Sequence, residues 1–311
     1  MNIEEKIRQF RKEVEHICAP YPLPSNSHDR LMAKKIIKRA IGNDKKMKKL
    51  WGALQKEAGV HATFHFDLAG GATTHSPANY VSEGKLYPFP GQVFIVLLEG
   101  LEGEIAMTHT FLHEMRHALQ IISGFLSPPR QASLLDTVWF TRVIEADAES
   151  FNAIQLLQLG LDGDTEPFEY AEAGQFGTIY DAIIEMYQKD PTTLNDGRLR
   201  RVAFDAWFSI PTVGINYECE SLRSYAIEKE FYQRFEKQGQ VFHDTPLTAK
   251  YLEALGTLDS DEPNYLTLPG FRSLDDPYYR FNFASKEVKK LWAEECAKTA
   301  QTPKKPLPKL G

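Results

Sequence analysis

Residues Ile105 to Ile122 read IAMTHTFLHEMRHALQII, and this stretch decides how the chain folds. Its apolar residues recur at intervals of three and four, as in Leu112, Met115 and Leu119, and this spacing predicts a long amphipathic helix. One face of the helix is apolar and needs a partner, while the histidines lie on a different face. We therefore expect the helix to pack against a core and to turn its polar residues toward a cleft.

The segments around this helix are predicted from their own periodicity. Ser27 to Gly42 and Asn43 to Gly59 have the spacing of amphipathic helices, and each ends on a glycine. His61 to Asp67 alternates as a strand does, and Gln92 to Leu98 is a short apolar strand that follows a Pro/Gly breaker. Four helices are predicted downstream: Ala132 to Leu159, Phe176 to Lys189, Arg198 to Phe208 and Cys219 to Phe235.

This order of elements predicts the fold class and the division of the chain. Helices, then strands, then helices again indicate an α+β fold with a small mixed sheet beside the long helix and helical additions at both ends. We divide the chain into an N-terminal helical segment (1–60), a central domain (61–245), a C-terminal helical and irregular segment (246–297) and a disordered tail (298–311).

The composition excludes several classes of protein. The 311 residues are 42% hydrophobic and 25% charged with a net charge of −6, which is ordinary for a globular protein and gives no electrostatic reason to bind nucleic acid. No stretch approaches the roughly 20 apolar residues that a membrane span needs. The N-terminus lacks the apolar region of a signal peptide, so we expect synthesis in the cytosol. Export without a signal peptide is compatible with the sequence.

The long helix carries the sequence His113-Glu114-Met115-Arg116-His117, which has the HExxH pattern. Two histidines four residues apart lie on one helical face, so both imidazoles can reach a single Zn²⁺, and Glu114 is placed to act as a general base. The pattern predicts one zinc ion per chain.

A catalytic zinc has three protein ligands, so an acidic ligand is still needed. The following helix offers three candidates in the segment VIEADAES, namely Glu145, Asp147 and Glu149. Glu145 and Glu149 lie one turn apart on one face of that helix. If one of them is the ligand, the other can accept the second N–H of a ligand histidine.

At these residues the sequence resembles the gluzincin metallopeptidases, in which HExxH is followed by ExxxD, here ExxxE. It is also similar to small bacterial peptidases such as the ImmA/IrrE group. The resemblance covers about residues 93–159 and implies a zincin-like domain that hydrolyses peptide bonds in a protein or peptide substrate. It implies Glu145 as the third ligand and Glu149 as the carboxylate behind the site. Glu149 replaces the usual aspartate, and Arg116 stands where a smaller or apolar residue is common.

The resemblance also implies an oxyanion-stabilising residue and an edge strand that pairs with the substrate. Tyr180, Tyr217 and His243 are the candidates for the first role, and no spacing selects one of them. Gly70 to Thr74, or the strand predicted at Gln92 to Leu98, is the candidate for the second.

Other histidines and other functions compete with this interpretation. His109 lies one turn before His113, where we expect a surface or outer histidine rather than a second metal site. His61 and His65 share a strand face and are expected to be polar outward residues. Two alternative functions are a zinc hydrolase of a non-peptide amide or ester and a non-catalytic interaction module. Glu114 argues against the module, because a structural zinc site needs no general base.

Overall fold

The computed structural model describes the greater part of the chain. The described residues are 27–58, 61–66, 81–82, 85–86, 94–99, 103–125, 128, 132–222, 225, 247–258 and 262–301. None of the helices within these residues is long and apolar enough to span a lipid bilayer.

Helices dominate the described residues. In chain order they are α1 (Ser27–Ile41), α2 (Lys45–Ala58), α3 (Gly103–Ile122), α4 (Leu134–Leu161), α5 (Glu166–Glu172), α6 (Gly177–Lys189), α7 (Arg198–Trp207), α8 (211–222), α9 (Ala249–Glu253), α10 (Pro277–Arg280) and α11 (Lys286–Gln301). Three 3₁₀ turns lie between them, at Pro191–Leu194, Ala254–Thr257 and Tyr265–Thr267.

The strands form two separate pairs. β1 (His61–Phe66) runs parallel to β4 (Phe94–Glu99), with His61 opposite Phe94 and Phe66 opposite Glu99. β2 (Val81–Ser82) and β3 (Lys85–Leu86) form a short antiparallel pair. Within the described residues these pairs do not join into one sheet.

The predicted α+β class is therefore wrong. The described residues are predominantly helical, and no single mixed sheet lies beside the long helix in this part of the chain. The prediction was wrong because it treated two short strand patterns as evidence for a sheet that forms a layer of the fold. Two strands bury too little surface to form such a layer, and most apolar residues of the chain are instead spaced for helices.

One hydrophobic core joins the helices around α3 and α4. It takes residues from α1 through α7 and from the turns after α9, so the described parts of the predicted segments 1–60, 61–245 and 246–297 all contribute to it. α3 packs against α4, α1 and β4, and α4 also packs against α7. Trp51 of α2 meets Phe111 of α3 edge-on, with ring centroids 5.3 Å apart. The two long helices are thus held from several sides.

Local sequence signals fix the start of α4 and the turn between α1 and α2. The Ser133 side chain accepts from the backbone N–H of Asp136, whose side chain accepts in return from the Ser133 backbone, and this capping box starts α4. Gly42 separates α1 from α2 with a positive φ of 53°, and a Cβ there would lie 2.9 Å from Leu159 Cδ2. A larger residue at 42 would therefore strain the turn and force the Leu159 side chain to move.

Most predicted helices agree with the structure to within a few residues. The helix predicted from Cys219 to Phe235 instead begins at residue 211, where Pro211 occupies the first turn, and its predicted end lies outside the described residues. Helix α5 was not predicted. Helix α11 continues to Gln301, past the predicted start of the tail at residue 298, and residues 302–311 lie outside the described part.

Candidate metal centre

Helices α3 and α4 bring three nitrogen and oxygen atoms to one point. His113 Nε2 lies 3.0 Å from His117 Nε2, and Glu145 Oε2 lies 3.3 Å from the first nitrogen and 3.4 Å from the second. The histidines come from one face of α3, and Glu145 comes from the facing turn of α4. The three atoms form a nearly equilateral triangle.

This triangle has the dimensions that a zinc ion requires. Tetrahedral zinc with ligand distances of about 2.0–2.1 Å separates its ligand atoms by about 3.3–3.4 Å. Two imidazole nitrogens and one carboxylate oxygen are also a ligand set found in catalytic zinc sites. The side chains of His113 and Glu145 remain 12% and 16% exposed, so part of each of these residues reaches the surface. The residues present therefore fit a zinc ion.

Glu114 is a second carboxylate at the same place. One side-chain oxygen of Glu114 lies within 4.8 Å of a ring nitrogen of His113 and of one of His117. Glu114 is buried, as is His117. By distance alone, both Glu114 and Glu145 are near enough to be considered as the acidic ligand, and Glu145 contacts the two histidines at 3.3 and 3.4 Å.

The outer nitrogen of His113 is held by Glu149. Nδ1 of His113 lies 3.1 Å from Glu149 Oε2, and the carboxylate also contacts His109 Nε2 at 3.3 Å. Asn152 and Tyr180 donate weaker hydrogen bonds to it, at 3.3 and 3.4 Å. A carboxylate that accepts from Nδ1–H leaves the Nε2 lone pair free for a metal. Glu149 thus lies behind the triangle, at the position expected for an outer partner.

The outer nitrogen of His117 is held by a residue that the sequence analysis missed. Nδ1 of His117 lies 2.7 Å from Gln120 Oε1, and Gln120 in turn donates to Ile144 O and Asp147 Oδ2 on α4. No role for Gln120 was predicted from the sequence. Its spacing of three from His117 could have revealed it, because residues three apart are neighbours on a helix.

Asp147 lies in a buried ion cluster rather than in the triangle. Arg116 binds it with Nε at 2.7 Å and Nη2 at 2.9 Å, and Arg200 Nη2 lies 3.0 Å away. Tyr265 donates to the same carboxylate at 2.6 Å. The unusual arginine within HExxH is thus explained by the aspartate between the two glutamates of α4.

The electrostatics of the triangle favour positive charge. Burial by itself would lower the pKa of His113 and His117, but the hydrogen bonds and charge of Glu145 outweigh it, with help from Glu149 at His113, and both pKa values are raised. Burial would raise the pKa of Glu145, but the two histidines hold it well below its usual range. The same balance, with His109 as the main opposing group, lowers the pKa of Glu149 to about 2. A site that draws protons onto its histidines also attracts a cation.

The candidate oxyanion residues occupy different places. Tyr217, half-buried on α8, lies close enough to Glu145 to interact with it, and burial followed by the charges of Glu145 and Glu149 raises its pKa well above the usual value. Tyr180 is fully buried and bonded to Glu149, on the far side of the histidines. His243 lies outside the described residues, as does the segment Gly70 to Thr74.

The remaining histidines and the predicted edge strand are placed as follows. His109 contacts Glu149 and stacks on Phe176 at a centroid distance of 6.1 Å, as expected of an outer histidine. His61 and His65 lie on β1, and nothing is described of their side chains. The strand predicted at Gln92 to Leu98 corresponds to β4, which pairs with β1 along one edge.

A comparison with known protein families identifies the family of the chain. Residues 10–265 match the family model described as "Putative metallopeptidase family (DUF6782)". The chain belongs to this family. The match spans both helices of the triangle, and a metal-dependent peptidase is the activity that the family indicates. No curated protein and no solved structure matched the chain.

Proposed function

We propose that this member of the metallopeptidase family is a zinc-dependent peptidase that uses His113, His117 and Glu145 as ligands. The observation that carries the proposal is the triangle of Nε2, Nε2 and Oε2 atoms at 3.0, 3.3 and 3.4 Å. Its dimensions and its ligand types match a three-ligand zinc site with a fourth position left for water or substrate. HExxH followed by ExxxE gives it the ligand order of a gluzincin.

The residues around the triangle then have distinct roles. His113, His117 and Glu145 would hold the zinc ion, which would supply a water with a pKa lowered toward 7 and a Lewis acid for the substrate carbonyl. Glu114 takes a proton from the attacking water and returns it to the leaving amine. Tyr217, beside Glu145, donates a hydrogen bond to the carbonyl oxygen as negative charge develops on it. Glu149 and Gln120 hold the Nδ1 atoms of the two histidines, so that both Nε2 lone pairs face the metal.

Glu114 and Glu145 are assigned by their positions on the two helices. Glu145 lies opposite both Nε2 atoms on the facing helix and closes the triangle from the other side. Glu114 lies next to His113 on the same helix, and one of its oxygens is within 4.8 Å of a ring nitrogen of each histidine. We assign it as the base because in an HExxH helix the glutamate beside the first histidine is placed to contact a metal-bound water.

The proposal is tested first by metal content and then by hydrolysis. Protein purified without chelators should contain one zinc per chain and should hydrolyse casein or a peptide library, and chelation followed by zinc addition should remove and restore that activity. A protein that takes up no transition metal, even on reconstitution, would exclude the assignment. Stoichiometric zinc with hydrolysis of small esters or amides, but not of any peptide, would favour the non-peptide hydrolase.

A further inference from the structure

The metal-site histidines are held by two different kinds of partner. His113 has the fully buried carboxylate of Glu149 behind it, whereas His117 has the neutral amide of Gln120 at 2.7 Å. A carboxylate can only accept, so it fixes the tautomer of its histidine directly. An amide has an oxygen that accepts and a nitrogen that donates, so Gln120 fixes His117 only if something fixes Gln120.

Two acceptors on α4 fix the direction of the Gln120 amide. Gln120 Nε2 donates to the backbone oxygen of Ile144 at 3.0 Å and to Asp147 Oδ2 at 2.7 Å. A backbone carbonyl cannot donate, and an ionised carboxylate cannot donate either. The NH₂ end must therefore face α4, because the reversed amide would set its oxygen against two acceptors. Gln120 Oε1 is left facing His117.

The other side chains around Asp147 all donate hydrogen bonds to its carboxylate. Arg116 binds both of its oxygens, Arg200 Nη2 lies 3.0 Å from Oδ1, and Tyr265 donates to Oδ1 at 2.6 Å. The carboxylate and the Arg116 side chain have no exposed surface. All of these neighbours are donors, so both oxygens of Asp147 already accept hydrogen bonds from them. Asp147 thus stays a pure acceptor for Gln120.

We propose that Gln120 is a positioning residue of the metal site and that the buried Arg116–Asp147 cluster acts on His117 through it. The chain of contacts runs from Arg116 and Arg200 to Asp147, then to Gln120, and then to Nδ1 of His117. Each step leaves one permitted arrangement of donors and acceptors. At the end of this chain of contacts, Nδ1 of His117 carries the proton and the Nε2 lone pair of His117 points into the triangle. The inference rests on the proposed role of His117 as a zinc ligand.

The test compares two substitutions that each remove one hydrogen bond from Asp147. Gln120→Leu removes the link to His117 with little change in volume. Tyr265→Phe removes the 2.6 Å bond to Oδ1, which lies off the path to His117. Zinc affinity is measured by competition with a chromophoric chelator, and the metal-free proteins are compared by circular dichroism and thermal melts.

Gln120→Leu should weaken zinc binding about 10–100-fold, the usual effect of losing an outer partner of a ligand. Tyr265→Phe should lower the melting temperature and leave the zinc affinity within about twofold to threefold, because Arg116 and Arg200 still hold Asp147 as an acceptor for Gln120.

Two further readouts separate positioning from a general loss of packing. In the zinc-loaded wild type, the Nδ1–H proton of His117 should be protected from exchange and visible by NMR, and Gln120→Leu should lose that resonance while Tyr265→Phe keeps it. Asp147→Asn should weaken zinc binding in the wild type but add nothing in the Gln120→Leu background. If Asp147→Asn does not fold, the first two variants decide the question by themselves.

The outcomes distinguish this inference from the proposed function. A wild type that binds no zinc overturns the metal site and the inference together. A wild type that binds zinc tightly, with Gln120→Leu binding equally tightly, overturns the inference alone. The same holds if Gln120→Leu and Tyr265→Phe weaken zinc to the same extent, because the cluster would then act only through stability.

Discussion

Arg116 and Asp147 form a bidentate ion pair between α3 and α4, with Nε–Oδ2 at 2.7 Å and Nη2–Oδ1 at 2.9 Å. Both side chains are fully buried. Arg116 lies between the two histidines of the motif, and Asp147 lies between Glu145 and Glu149. The residues that link the two helices thus alternate along the sequence with those that form the triangle or support it from behind.

Breaking this pair should cost far more than breaking a surface pair. Arg116→Met leaves Asp147 buried with one guanidinium fewer, and removing one member of a buried pair typically costs about 3–5 kcal/mol. Arg39, which pairs with the partly exposed Asp164 and Glu166, is the matched control, and Arg39→Met should cost about 0–1 kcal/mol. Urea unfolding of the metal-free proteins measures both. Similar losses for the two variants would contradict the buried role of Arg116.

Glu145 and Glu149 should differ in their effect on zinc. Glu145→Ala removes a proposed ligand and should abolish stoichiometric zinc. Glu149→Ala removes the acceptor behind His113 and should weaken zinc about 10–100-fold while the three ligands survive. Zinc titrations, with circular dichroism of each metal-free variant as the folding control, measure the difference. The reverse order of effects would make Glu149 the ligand.

Glu114 should be needed for turnover and not for metal. Glu114→Gln keeps the size of the side chain and removes the base, which should lower kcat about 10²–10⁴-fold with zinc still bound at one per chain. Kinetics on a confirmed peptide substrate and elemental analysis of the same sample test both parts. If Glu114→Gln loses its zinc while Glu145→Ala keeps it, the two carboxylates have exchanged roles.

Substitutions of Tyr217 and of Tyr180 should change different measured quantities, kcat for the first and zinc affinity for the second. Tyr217 lies beside Glu145, so Tyr217→Phe should lower kcat about 10²–10³-fold, as the loss of an oxyanion donor does, and leave zinc bound. Tyr180 touches Glu149, so Tyr180→Phe should act on zinc affinity, and by less than Glu149→Ala does. A drop in kcat for Tyr180→Phe, with none for Tyr217→Phe, would contradict this division.

Zinc uptake should release protons at neutral pH. The pKa values of His113 and His117 are raised in the metal-free protein, so these groups hold protons at a pH where ordinary histidines have largely lost them. Zinc needs the unprotonated Nε2 atoms. The apparent zinc affinity should therefore rise as the pH rises toward the raised pKa values, and fall as the pH is lowered. Calorimetric titrations at pH 7 in two buffers of different ionisation enthalpy measure the release. Equal apparent enthalpies in the two buffers would exclude it.

Local patterns were enough to predict most of the helices and the pair of histidines that meet at the candidate site. The helix from Gly103 to Ile122 follows from its apolar spacing, and the four-residue step between His113 and His117 places both on one face whatever surrounds it. The start of α4 follows from Ser133 and the residues after it. These features depend on neighbours along the chain, which is why periodicity alone reveals them.

Only the tertiary structure decided how the helices meet and which polar residues pair. The α+β prediction failed because sequence patterns do not show whether short strands join into one sheet or remain as separate pairs. Gln120, Arg200 and Tyr265 acquire their roles from contacts with Asp147, two of them across more than fifty residues of sequence. A hydrogen bond between distant residues leaves no periodic pattern. The sequence by itself thus determined the helices and the histidine pair, and the packing of α3 on α4 decided which carboxylate meets those histidines and which is held by the arginines.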